Sequence, residues 1–143
     1  MRAERPIGSL AVEVTRGTSN NLFQVATLVR AATTIDATVD VLFRGDALRK
    51  LARSRIDTDE WSEAYEAVHD ELLHRLHAAE FCDMTTFLRD AKEHGDHVSY
   101  WACAEDLDTS ALQLVDLAPI VDGTRSADAF LRDADSADAL LRF

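Results

Sequence analysis

Short apolar runs alternate with helical patterns along this chain, and that alternation constrains its fold more than any other feature. Residues 9–15, 37–43 and 98–103 are rich in apolar or β-branched side chains and are bounded by polar turns, as expected of buried strands. Between them, apolar residues recur with the 3.6-residue period of amphipathic helices. Strands that alternate with helices predict an α/β protein with a parallel sheet and helices on both faces.

The rest of the chain extends this pattern to five strands. Helices are predicted to follow the polar turn after the first strand, ending near Thr34, and then to span residues 47–53, 57–77, 85–93, 109–115 and 126–134. Residues 119–122 predict a short fourth strand and residues 138–143 a closing one. Residues 1–143 are therefore expected to form one domain, with residues 1–7 as a flexible lead-in.

Five strands in a chain of this length favour a flavodoxin-like three-layer sandwich with strand order 2-1-3-4-5. In that order the sheet's switch point lies between the first and third strands. The crevice there would be lined by residues 16–21 on one side and by residues 103–106 on the other. The first of these loops, with Thr18 to Asn21 at a helix N-terminus, is a weaker candidate for an anion site.

Composition excludes several functions. The chain has 26 acidic against 15 basic side chains and a net charge of −11, which disfavours nucleic acid and anionic membranes as partners. No apolar run has membrane-spanning length and no signal peptide opens the sequence, so a cytoplasmic location is expected. The acidity suits either a high-salt cytoplasm or an ordinary acidic protein.

The segment Trp101-Ala102-Cys103-Ala104, at the end of the third strand, resembles the cysteine segment of the DsrE/TusD-type (DsrEFH-like) sulfur-carrier family. The first strand with its following turn, and the tail from Val121 onward, resemble the same family. The resemblance implies a flavodoxin-like domain that carries sulfane sulfur as a persulfide on Cys103. It also implies sulfur donor and acceptor proteins as partners, and homo-oligomers such as trimers or hexamers.

Cys103 is accordingly the predicted working residue, since a thiolate at the carboxyl end of a strand is placed for chemistry. Arg16 after the first strand and Arg125 after the fourth could both flank its sulfur, and at least one of them is predicted to lie near it and stabilise the thiolate. Cys82 is a possible relay thiol, although a structural role is favoured for it. The alternative is a binding or assembly subunit of the same fold in which Cys103 is inert.

No cofactor or metal is expected. The chain has no glycine-rich phosphate loop of the GxGxxG or Walker type, so flavin or nucleotide binding would rest on the fold alone. The acidic and histidine residues along one flank of the 57–77 segment have helical spacing, but such a flank is more typical of a solvated surface than of a metal site. His97 begins the strand that Cys103 ends, which places it about 20 Å away and excludes a Cys-His pair.

Overall fold

A computed structural model describes residues 7–78 and 83–143, and within them a five-stranded, all-parallel sheet. The predicted lead-in lies, except for Ile7, outside the described residues. The strands are β1 (Ser9–Val14), β2 (Thr38–Phe43), β3 (Val98–Cys103), β4 (Gly123–Arg125) and β5 (Ala139–Arg142). The helices are α1 (Ser19–Thr34), α2 (Gly45–Lys50), α3 (Glu63–Glu66), α4 (His69–Ala78), α5 (Met84–Glu93), α6 (Ala104–Thr109) and α7 (Ala127–Ala134).

The strand order is β4-β3-β2-β1-β5, so the predicted order 2-1-3-4-5 is wrong. Strand β2 lies between β1 and β3, pairing Val12 with Val41 on one side and Val41 with Tyr100 on the other. The reason is visible in the helices. In the predicted order, right-handed crossovers would put α1 and α5 on opposite faces of the sheet. Instead they pack side by side, with the rings of Phe23 and Phe87 stacked 4.8 Å apart.

The two faces of the sheet are covered unequally. The connections from β1 to β4 all advance in one direction, so right-handed crossovers leave their helices on one face. Only the connection from β4 back to β5 reverses, and it places the eight-residue helix α7 on the other face. The larger core, under α1 and α5, includes Val12, Val41 and Tyr100; the smaller one, under α7, holds Ala11, Leu42, Cys103, Phe130 and Ala134.

Several elements match their predicted positions and others do not. The predicted strand over 98–103 and the N-cap of α7 at Ser126 are confirmed. The predicted 57–77 helix is instead two helices, α3 and α4, because a turn at residues 67–68 divides it, and the first starts late because residues 57–62 are not helical. The 57–62 segment is bound to α1 at Glu60. The Ser19 N–H donates to the Glu60 carbonyl, and the Ser19 hydroxyl accepts the Glu60 N–H.

The region after β3 also differs from prediction. The predicted turn at residues 105–108 is part of α6, and a 3-10 helix at Leu114–Asp116 replaces the helix predicted over 109–115. Strand β4 begins at Gly123, after the apolar run that suggested a strand at 119–122. That run is used for packing instead, since Ile120 is buried in the larger core. Among the described residues, no helix is both long and apolar enough to cross a bilayer.

Candidate functional site

Cys103 is the last residue of β3 and the N-cap residue of α6, at the carboxyl edge of the sheet. Alternation along the strand directs Tyr100 and Ala102 into the larger core, whereas Trp101 and Cys103 face α7. The Cys103 residue has no exposed surface, because Phe130 and Ala134 of α7 pack over it together with Leu42. The thiol thus lies at the carboxyl edge of the sheet, as predicted, and is covered by α7.

The sulfur has polar partners as well as apolar ones. Cys103 Sγ donates a hydrogen bond to Glu105 Oε2 at 3.2 Å, and the same oxygen accepts the backbone N–H of Ala127 at 3.2 Å. The backbone N–H of Asp106 also points to the sulfur. Glu105 is itself exposed. Its carboxylate therefore links the buried thiol to the backbone of Ala127, the first residue of α7, at the protein surface.

These surroundings favour the protonated thiol. Burial raises the pKa of Cys103 above its ordinary value of 9.0, and the carboxylates of Glu105 and Asp106 add to the increase. The Asp106 N–H acts in the opposite direction, since it stabilises the thiolate. The pKa of Glu105 is lowered, first by its own backbone N–H and then by the thiol. In this conformation Cys103 is therefore a neutral thiol hydrogen-bonded to a carboxylate.

The cation beside the sulfur belongs to Arg44, a residue that sequence reasoning missed. Its guanidinium interacts with Cys103, donates to Glu13 Oε1 at 3.1 Å and lies 3.6 Å from Asp106 Oδ2. Burial alone would lower its pKa, but Glu13, Asp106 and Cys103 together raise it. The Nε atom of Arg44 is buried without a hydrogen-bond partner among the described residues.

The local sequence explains how Arg44 reaches this position. It follows β2, and by alternation its side chain shares the α7 face with Asp40 and Leu42. Gly45 has φ +52, a left-handed conformation that glycine adopts without strain, and it turns the chain directly into α2. The Gly45 N–H then donates to Asp106 Oδ2 at 2.8 Å, which joins the ends of β2 and β3. Correct placement of β2 beside β3 would have identified Arg44 as a candidate.

The two predicted arginines differ in their position relative to Cys103. Arg16 follows β1, which β2 separates from β3, so the strand order removes the adjacency on which the prediction for Arg16 rested. Arg125 is paired in register with Cys103 on the adjacent strand. Its guanidinium, however, lies 5.6 Å from the ring of Trp101 and forms an ion pair with Asp133.

The other sequence candidates are not brought to this site. Cys82 lies outside the described residues. The N-terminus of α1 is occupied by the protein itself, since Thr18 caps it and the Ser19 N–H donates to the Glu60 carbonyl at 2.7 Å, so the predicted anion loop is closed. Within residues 7–78 and 83–143, no three potential ligands among His, Cys, Asp and Glu are grouped for a metal ion.

Comparison with known proteins supports the α/β fold but identifies neither a family nor a function. No family model matches the chain, and no curated protein matches it closely enough to count. Among solved structures, it is similar to a protein of unknown function, MTH1491 from Methanobacterium thermoautotrophicum, with a TM-score of 0.56 and 15% sequence identity. The match covers 93% of this chain and 97% of the other. At that identity the likeness is one of α/β architecture.

Proposed function

We propose that this chain is a sulfur carrier that holds sulfane sulfur as a persulfide on Cys103 and passes it from a donor protein to an acceptor protein. The observation that carries the proposal is the set of groups converging on the sulfur at the carboxyl edge of the sheet. The Glu105 carboxylate accepts a hydrogen bond from Cys103 Sγ, and the guanidinium of Arg44 and the backbone N–H of Asp106 lie on the same side of the thiol. The resemblance of residues 101–104 to the DsrE/TusD-type family points to the same chemistry.

The transfer needs no external oxidant. Once Glu105 has moved aside, the Cys103 thiol loses its proton to a base in solution, and the thiolate then attacks the outer sulfur of a donor persulfide, R–S–SH. A new S–S bond forms to Cys103 while the donor's S–S bond breaks, and the donor leaves as the thiolate R–S⁻. The product, Cys103–S–SH, retains the sulfane sulfur at its original oxidation level. Attack on that outer sulfur by an acceptor thiolate returns Cys103 to the thiolate.

Two side chains have distinct roles in this scheme. Glu105 holds the resting thiol in its protonated form through their hydrogen bond, and because its side chain is exposed it can move away without unfolding the core. Arg44 stabilises the negative charge that develops on sulfur in the thiolate and in the ionised persulfide. Since burial raises the pKa of Cys103, loading is expected to need displacement of the cover formed by Glu105 and α7.

Mass spectrometry of the intact protein tests the proposal. A Cys82→Ser variant, which leaves Cys103 as the one thiol, is incubated with polysulfide and is expected to gain the mass of one sulfur atom. The Cys82→Ser/Cys103→Ser double variant should gain none, and peptide mapping should place the sulfur on Cys103. Unchanged mass under conditions that load an established persulfide carrier would contradict the proposal.

A second function, a binding or assembly subunit with an inert cysteine, is favoured by one observation. Cys103 has no exposed surface and its pKa is raised. Alkylation with iodoacetamide separates the two functions. A carrier should be alkylated under native conditions faster than it unfolds, with a rate that rises with pH and falls in Arg44→Gln but not in the control Arg16→Gln. An inert cysteine should react at the rate of global unfolding in all three proteins.

The resemblance also carries the proposal of homo-oligomers, trimers or hexamers. Light scattering coupled to size-exclusion chromatography measures the mass directly. A monomer at micromolar concentration would contradict this part of the proposal and leave the cysteine chemistry to be judged by its own experiment.

A further inference from the structure

A cavity of about 180 Å³ lies on the face of the sheet opposite Cys103, between α1, α4, α5 and residues 56–61. Its walls combine apolar and aromatic side chains with polar ones. The stacked rings of Phe23 and Phe87 form one side, and Trp61, Ile56 and Leu76 contribute to the rest. We call this space the α1–α5 cavity.

The size of the α1–α5 cavity limits what it can hold. An engineered protein cavity of about 150 Å³ binds benzene. A cavity of about 180 Å³ therefore accommodates one aromatic ring with a short substituent. The aromatic lining suits such a ring, since aromatic pairs attract beyond their buried area.

The charge of the lining selects among ligands of that size. Three aspartates, Asp57, Asp59 and Asp83, line the cavity, and neither lysine nor arginine is among its described lining residues. Lys50 is fully buried behind this wall and donates hydrogen bonds to the carbonyl oxygen and hydroxyl of Thr58, a lining residue, and Glu60 lies 3.5 Å from its ammonium. The Lys50 charge is shared between Asp59 and Glu60, so the three aspartates still outnumber it, and an ammonium group would be favoured over an anionic ligand.

The three carboxylates differ in how they are used within the chain. Asp57 accepts hydrogen bonds from the backbone N–H and the hydroxyl of Thr85, and Asp83 caps α5 through the Thr86 N–H. Asp59 is exposed at the cavity rim, on a loop whose backbone is fixed to α1 through its neighbour Glu60. It is therefore the carboxylate best placed to pair with a ligand.

We propose that the α1–α5 cavity is a binding site for a small arylalkyl amine, with its ring between the aromatic walls and its ammonium group directed toward the aspartates. Ring burial provides affinity, and the carboxylates provide discrimination between charge states. The site shares no residue with the Cys103 site, so the proposal does not depend on sulfur transfer.

Isothermal titration calorimetry with three probes of nearly equal shape tests this proposal. The probes are 2-phenylethylamine, 2-phenylethanol and 3-phenylpropanoate. The amine is expected to bind at millimolar concentration or below, the alcohol more weakly and the carboxylate weakest. Equal affinity for amine and alcohol, tighter binding of the carboxylate, or no heat from the amine at millimolar concentration would each overturn the proposal.

Variants locate the binding. Asp59→Asn should weaken amine affinity about fivefold, the effect of removing one partly exposed charge pair, and leave the alcohol unaffected. Asp96→Asn, an exposed aspartate outside the cavity, is the matched control and should change nothing. Leu76→Trp, checked for folding by circular dichroism, should abolish binding by filling the space. Unchanged amine affinity in both Asp59→Asn and Leu76→Trp would overturn the assignment to this cavity.

Discussion

The carboxylate of Glu60 is expected to stabilise the fold in a manner that acid removes. Glu60 accepts hydrogen bonds from Arg55 Nε at 2.9 Å and from Arg55 Nη2 at 2.8 Å, and lies 3.5 Å from the buried ammonium of Lys50. The bond with Arg55 and the charge of Lys50 lower the pKa of Glu60 from 4.5 to about 2, although desolvation opposes the shift. The unfolded chain therefore binds more protons between these two pH values.

The sign of the effect follows from that difference in proton binding. The stabilisation is fully present above pH 4.5 and is lost as pH falls through about 2. Complete conversion of the shift would give about 3 kcal/mol. Because the Glu60 side chain is 35% exposed, solvent screening reduces the expected contribution to about 1 kcal/mol.

Urea denaturation followed by circular dichroism at several pH values measures this contribution. The Glu60→Gln variant should be about 1 kcal/mol less stable than the wild type at pH 7 and should approach wild-type stability near pH 2. Glu71→Gln is the matched control, because its carboxylate pairs with Arg75 in an exposed i,i+4 pair and should contribute little. A difference for Glu60→Gln that stays constant with pH, or an equal loss in the control, would refute the reasoning.

Three further substitutions test the packing around the strands, each by urea denaturation. Tyr100→Phe removes a buried hydrogen bond of 2.8 Å to the Leu88 carbonyl and should cost about 1–3 kcal/mol; unchanged stability would contradict it. Gly17→Ala places a Cβ 2.5 Å from the Asp46 carbonyl oxygen and should cost about 1–3 kcal/mol unless the loop shifts freely. Phe130→Ala should cost about 3–5 kcal/mol and accelerate alkylation of the thiol that it covers; an unchanged rate would show that α7 is not the barrier.

The sequence was a good guide to individual strands because their apolar patterns are local. Val98–Cys103 was predicted at its observed bounds, since its residues alternate between two buried faces and polar residues end it on both sides. The helix cap at Ser126 was equally local, as its hydroxyl accepts the Ala129 N–H. These features depend on residues a few positions apart, which periodicity and capping rules describe well.

Strand order was not predictable in this way because it depends on which helices pack together. The contact of Phe23 with Phe87, and the hydrogen bond between Thr33 and His94, join α1 to α5 across more than fifty positions in sequence. Neither pairing has a local signature. Because of the same error, Arg16 was predicted beside Cys103 in place of Arg44. Both arginines directly follow strands, and the strand order decides which of them adjoins Cys103.

The sheet itself separates the two proposed sites. Cys103 lies on the face covered by α7, whereas the α1–α5 cavity lies on the face covered by α1 and α5. A ligand in the cavity would not contact the sulfur, and a persulfide on Cys103 would project away from the aspartates. Occupancy of one site should therefore leave the other unaffected, unless helix α2 transmits a shift between them. This helix begins at Gly45, which donates a hydrogen bond to Asp106, and ends at Lys50, which donates one to Thr58. Helix α2 thus contacts Asp106 at one end and Thr58 at the other, and it is the route that we expect any measured coupling between amine binding and cysteine reactivity to follow.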